Sequence, residues 1–339
     1  MAGLNKKRND DGRIVNLRAL AILIVVIGHS IILYDTSWNF FETTRSVPAL
    51  DVLKDWINLV QMPLFFSFSG YLFYYSLAHS HFNEFFKGKI QRILIPFFAF
   101  AFLWMVPIRM FLHWKPYVDK SIADIVINDI ILGRDCGHLW YLQCLFVIFL
   151  FSYGVCRILE KWISNKNLKN VILFVIAYSI AYFFYLIPMF PGAEIIRSVA
   201  MNWIWFCVGY ILCQYKQKIE IYSNYKFIWS VIGIGISFLT LMGVFPYRRI
   251  TQLLLLVIFY LIIPKNAGRV EKLLGDYSFG IYLFHSPLVY ITYSFIPNAN
   301  PAIVVLLNFI IFGGLAVILT GLIRQSRFRI LIGEKSKRG

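Results

Sequence analysis

The stretch NLRALAILIVVIGHSIILY, from Asn16 to Tyr34, sets an arginine and a histidine into an apolar run. Arg18 and His29 are 11 residues apart. On a helix that is three turns plus about 20°, so both share one face about 16 Å apart along the axis. A cation then stands at one rim, and an imidazole, whose proton affinity lies near neutrality, stands deep in the run. KGKIQRILIPFF places Lys89 and Arg92 three apart on one face, where two cations could hold phosphates or anchor a membrane rim. DYSFGIYLFHSPL spaces Ser278, Tyr282 and His285 by four and three. That polar stripe either ties helices together or lines a cavity. Ser69 precedes Gly70, a pair that permits close helix approach or lines a path. GHLWYL brings His138 beside Trp140 and Tyr141, read as an interfacial aromatic belt with His138 facing the outer water.

These residues carry functional weight because of what surrounds them, since ionisable groups are costly in lipid. The 339 residues are 59% hydrophobic and only 15% charged, against about 45–50% apolar in soluble domains. Ten apolar segments emerge: 14–34, 56–78, 92–112, 139–159, 170–190, 195–213, 227–246, 249–264, 277–296 and 301–323. Each is near the ~20 residues a helix needs to cross the hydrocarbon. An even number puts both termini on one side. With that side taken as cytoplasmic, it holds 24 of the 33 Lys and Arg, while the acids divide evenly. Only the basic residues are asymmetric, as the positive-inside rule describes. The net charge of +16 is thus a topology signal rather than a nucleic-acid signature, and it would attract anionic lipid or a phosphorylated ligand. The expected fold is an all-α polytopic membrane protein with one domain, 14–323, between a cytoplasmic segment, 1–13, and a basic cytoplasmic tail, 324–339. The first segment is too long for a signal-peptide core and lacks a small-x-small site, so it reads as a retained helix. The longest connections, 35–55 and 113–138, fall on the outer side, and Ser121 to Leu132 reads as a short amphipathic surface helix. Five cysteines without a CxxC pair suggest neither a disulfide framework nor a metal site.

Taken in order, LRALAILIVVIGHS, the basic pair Lys89 and Arg92, FSFSGYLF, GHLWYL and SFGIYLFHSPL resemble the integral-membrane acyltransferase-3 family, over about residues 12–323. The family comprises bacterial enzymes that O-acetylate surface polysaccharides. The resemblance implies a bacterial inner-membrane, multi-pass transferase. It would take an acyl group from cytoplasmic acyl-CoA, usually acetyl-CoA, and pass it to a hydroxyl of a cell-surface or lipid-linked sugar. The family's basic-residue and histidine motif falls on Arg18 and His29. Its basic pair falls on Lys89 and Arg92, with lysine where arginine is common; lysine keeps the charge but loses the bidentate grip. On this resemblance the coenzyme phosphates dock on Arg18, Lys89 and Arg92, and the thioester reaches His29. His29 then acts as general base on the sugar hydroxyl or carries the acyl group itself. Ser69, Tyr282 and His285 are the candidate oxyanion donors, with His138 and Trp140 in the cavity or substrate site. A carboxylate orienting His29 would come from Asp35, Asp51 or Glu194. Some relatives add a C-terminal hydrolase-like domain, which is not expected here. Two other classes stay open: a transporter or flippase of a polysaccharide precursor, and a structural subunit of an envelope complex.

Overall fold

The computed structural model describes residues 12–36 and 46–335. Most of the 1–13 segment, the middle of the 35–55 connection and positions 336–339 of the basic tail lie outside the described residues. Among the described residues the chain is helical, without strands. Its principal helices are α1 (Gly12–Ser30), α2 (Pro48–His79), α3 (Phe82–Phe111), α4 (Trp140–Trp162) and α5 (Lys166–Tyr182). They continue with α6 (Ala193–Ile219), α7 (Lys226–Leu241), α8 (Arg248–Ile262), α9 (Arg269–Phe295) and α10 (Pro301–Gln325). Among the described residues five helical stretches are long and apolar enough to cross a membrane: Gly12–Ser30, Phe82–Phe111, Gly137–Trp162, Ala193–Leu241 and Pro301–Gln325.

The helices coincide with the ten apolar segments, but their ends do not. α2 starts eight residues ahead of the expected 56, with Pro48 at its first turn, where the missing N–H costs nothing. α9 starts at Arg269 rather than 277. In both, a charged opening turn (Asp51, Lys54 and Asp55; Arg269, Glu271 and Lys272) extends the helix beyond its apolar run. α5 stops at Tyr182 instead of 190, ahead of Pro188 and Pro191, which cannot continue a helix. α3 begins at Phe82 rather than 92, so Pro96 lies inside it, not in its first turn. Proline there has no N–H to give to the helix ladder. The helix widens to π geometry at Ile90–Leu94, just before it, and again at Ala101–Met105, before Pro107.

α1 packs on α9 and α2, and α2 lies along α6. Two glycines set that last distance. A Cβ on Gly70 would fall 1.9 Å from the Phe206 carbonyl oxygen, and one on Gly209 would fall 1.7 Å from that of Ser67. No side chain fits at either position, so the two backbones touch directly. At one end of the bundle lie the start of α1, Lys89, Arg92 and the residues after α10; this is the basic end. The opposite end carries the 113–138 connection and is the loop end. There Ser121 caps a helical run through Ile131 by accepting from Asp124 N. Its inward face is mixed: Ile125 and Ile130 are buried, but so is Asp129, which is paired with Lys120. Ile122 and Ile127 are exposed.

Candidate active site

α1 presents Arg18 and His29 along one side of the helix, and α9 faces both. Arg18 Nη2 donates to Ser278 Oγ at 3.1 Å. Three turns along, His285 Nε2 lies 3.2 Å from His29 Nδ1, with the rings edge to face. The polar stripe of α9 therefore covers the cation and the imidazole of α1 together. Each histidine also turns Nδ1 to the carbonyl of its own preceding turn, His29 to Val25 and His285 to Ile281, both at 2.9 Å. A carbonyl can only accept, so Nδ1 carries the proton in each ring. His285 Nε2 is then a lone pair accepting from His29 Nδ1–H, and Nε2 of His29 is left as its basic nitrogen.

His138 is not at an aqueous surface as its sequence position implied. It is buried at the start of α4, with Nε2 3.2 Å from the Leu283 carbonyl and its ring 5.9 Å from that of His285. Tyr282 donates its hydroxyl to the His138 carbonyl. His138 is covered because α9 packs over the α4 N-terminus, a tertiary contact that spacing within GHLWYL does not encode. Among the described residues no group of His, Cys, Asp and Glu is arranged to hold a metal.

Two cavities approach this cluster from opposite ends. The basic-end cavity, 470 Å³, is lined by Arg18, Ser69, Lys89, Arg92, Tyr141 and Ser278, among others. The loop-end cavity, 370 Å³, is lined by His29, His138, Trp140, Arg134, Asp135 and Glu194, among others. Between them lies a 50 Å³ pocket that shares Phe65 and Tyr141 with the first and His29, His138 and Trp140 with the second. The rings of Phe65, Tyr141 and Tyr282 form a triangle there, with centroids 5.6 to 6.1 Å apart. Ser69 Oγ and Tyr141 Oη lie 3.2 Å apart, and each donates to the Phe65 carbonyl. Lys89 Nζ sits 3.4 Å from the Phe149 ring centroid, its stem laid along an apolar wall.

The carboxylates expected to orient His29 are engaged elsewhere or only nearby. Asp51 accepts from Thr36 and Ser46, and Asp35 is buried beyond the end of α1. Glu194 lines the loop-end cavity without a hydrogen bond to His29. His285 stands where such a carboxylate would. The sequence reading passed over Arg109, fully buried near the end of α3. It bonds Tyr290, Tyr117 and the Asp135 carbonyl, and pairs with the Asp135 carboxylate at 3.2 Å. Through Asp135 it fixes one wall of the loop-end cavity. An arginine at the tail of an apolar segment was the available signal. Also passed over were Arg324, Arg329 and Glu334, which line the basic-end cavity from a segment read only as a charged tail.

The sequence profile described as Acyltransferase domain, acyltransferase-3, matches residues 12–324. The chain belongs to the acyltransferase-3 family. It is 25% identical over 295 residues to a protein named as an acetyltransferase, ORF330, of Acidianus two-tailed virus, covering 82% of this chain and 83% of that protein. It is 23% identical over 159 residues to glucans biosynthesis protein C of Shigella dysenteriae, covering 46% of this chain and 41% of that one. The Salmonella dublin protein of that name is 22% identical over 172 residues, covering 50% and 44%. The chain thus spans less than half of the glucans proteins it matches. No solved structure matches it. An all-helical acyltransferase-3 chain with several long apolar helices is a multi-pass membrane acyltransferase.

Proposed function

We propose that this acyltransferase takes an acetyl or other short acyl group from acyl-CoA at the basic end. It delivers that group at the loop end to a hydroxyl of a cell-surface or lipid-linked sugar. In this reading all ten helices cross the bacterial inner membrane, with the basic end cytoplasmic. The observation that carries the reading is the alignment of three sites along one side of α1. The cavity of Arg18, Lys89 and Arg92, the three-ring constriction, and His29 at the edge of the opposite cavity follow one another. The cations bind the coenzyme's phosphates, and its thin arm passes Phe65, Tyr141 and Tyr282 to bring the thioester carbonyl to His29. The pocket between the cavities, with room for about one or two waters, yields to an extended arm by small ring movements but excludes a glycan. That favours transfer over passage of a polysaccharide precursor.

His29 Nε2 then takes the proton of the sugar hydroxyl as that oxygen attacks the thioester carbon, and the coenzyme leaves as thiolate. Alternatively Nε2 attacks first and hands the acyl group on. In both routes the ring becomes a cation, and His285 Nε2 and the Val25 carbonyl both accept from its Nδ1–H. Asp135, Glu194 and Trp140 line the side where the acceptor sits, and supply polar groups and a ring face for a sugar. The relative named as an acetyltransferase supports acetyl as the donor group.

The test uses purified full-length protein with labelled acetyl-CoA. His29→Ala is expected to keep donor binding and to lose transfer or hydrolysis by about 10²–10⁴-fold. Unchanged turnover removes His29 from the chemistry. Arg92→Ala is expected to weaken donor binding in a salt-dependent way, and equal affinity would remove the phosphate site.

A further inference from the structure

The basic-end cavity has a wall the donor reading does not use. After α10 the chain makes a short 3-10 turn, Arg327–Ile332, and folds back under α3. Ile332 is buried, and Gly333 takes a φ of +73° that only glycine adopts readily. A Cβ on Gly333 would meet the Arg92 carbonyl at 2.8 Å. The turn delivers Glu334 between two arginines. One carboxylate oxygen lies 2.8 Å from Arg324 Nε, the other 2.9 Å from Arg329 Nη2. Arg329 Nε is buried with no hydrogen-bond partner among the described residues. The cavity holds six cations (Arg18, Lys89, Arg92, Arg324, Arg329 and Lys335) against two carboxylates, Asp276 and Glu334.

A carboxylate bridging two guanidinium groups through separate oxygens has the geometry with which a phosphate binds the same pair. Glu334 is partly exposed, so its release to solvent costs little, whereas Arg329 Nε gains a partner when a group with a third oxygen arrives. We propose that Arg324 and Arg329 form a second phosphate subsite in this cavity, and that Glu334 occupies it as an internal substitute until a phosphorylated ligand displaces it. The subsite takes its ligand's identity from the coenzyme reading. Its existence as an anion site does not depend on that reading.

The experiment measures binding of inorganic pyrophosphate and, separately, of coenzyme A to the full chain in detergent. Wild type, Glu334→Gln and the double variant Arg324→Gln/Arg329→Gln are compared. Glu334→Gln removes the competing charge and is expected to tighten both ligands at least threefold. The double variant is expected to weaken both at least tenfold. Unchanged or weaker pyrophosphate binding in Glu334→Gln overturns the substitute role; that variant changes one partly exposed oxygen and leaves the fold intact. Unchanged pyrophosphate affinity in the double variant overturns the subsite, as does a wild type that binds no pyrophosphate. If pyrophosphate behaves as expected while coenzyme A does not bind, the subsite stands and the donor reading falls.

Discussion

A proton on Nδ1 of His29 decides what that ring can do. Shared between the Val25 carbonyl and His285 Nε2, it leaves Nε2 as the base and holds the ring in one orientation. His285 touches neither ligand in this scheme; it is a positioning residue, doing with a lone pair what a carboxylate does in other acyl-transfer sites. His285→Ala is therefore expected to lower kcat by on the order of 10²-fold with KM nearly unchanged. His285→Gln, whose amide oxygen can reach the place of Nε2, is expected to recover much of that loss. A purely structural role would give two variants equal in kcat and altered in thermal stability, and that result would sink the assignment. Much of this site was legible in the sequence, because Arg18 and His29 share a face by helical arithmetic alone, and so do Ser278, Tyr282 and His285. That the two faces meet was not legible. Periodicity assigns a residue to a side of its own helix and leaves the partner helix open, so His285 read as a stripe and His138 as a surface group.

Helix packing controls how far apart those groups stand. Ser69 and Phe65 belong to α2, whose position is set by direct backbone contact with α6 at Gly70 and Gly209. The obstacle to a side chain at Gly209 is the Ser67 carbonyl, which cannot rotate away. Overpacking of this kind costs about 1–3 kcal/mol, occasionally more. Gly209→Ala is expected to lower the thermal midpoint by several degrees and to reduce transfer, since α2 carries part of the ring triangle. Gly154→Ala, where a Cβ meets nothing within 4 Å, is the matched control and is expected to change neither. Equal midpoints for the two variants would mean that α2 and α6 separate freely. At this scale the existence of the ten principal helices was readable from apolar runs of about twenty residues, but their ends were not. A charged turn such as Arg269–Lys272 is helical here because it continues the hydrogen-bond ladder past the apolar stretch, and hydropathy carries no mark of that. The tail beyond Gln325 failed for the opposite reason. Arg329, like Arg324 just before it, fits the positive-inside pattern so well that its place in a cavity was invisible.

For the whole molecule, sidedness depends on how many helices cross. α7 and α8 have 16 and 15 residues, a rise of about 24 and 22 Å, less than the ~30 Å of hydrocarbon. A pair of short helices can cross by local thinning or by packing against longer neighbours, and α8 packs on α2. Two exposed positions test which end of the bundle faces which side. Ser164 follows α4 at the basic end, and Asn298 follows α9 at the loop end. The five native cysteines are all buried, so background labelling is low. Five crossings, α5 to α9, lie between the two positions, which puts them on opposite sides if every helix spans. With a membrane-impermeant maleimide, Asn298→Cys is expected to label in intact cells and Ser164→Cys only after permeabilisation. The reverse pattern would invert the protein and place the cations proposed to bind phosphate outside, away from any coenzyme. Labelling of both from one side would mean that a single short helix fails to cross. His29 and the loop-end cavity would then lack a separate compartment for the acceptor, and transfer across the membrane would give way to chemistry on one face.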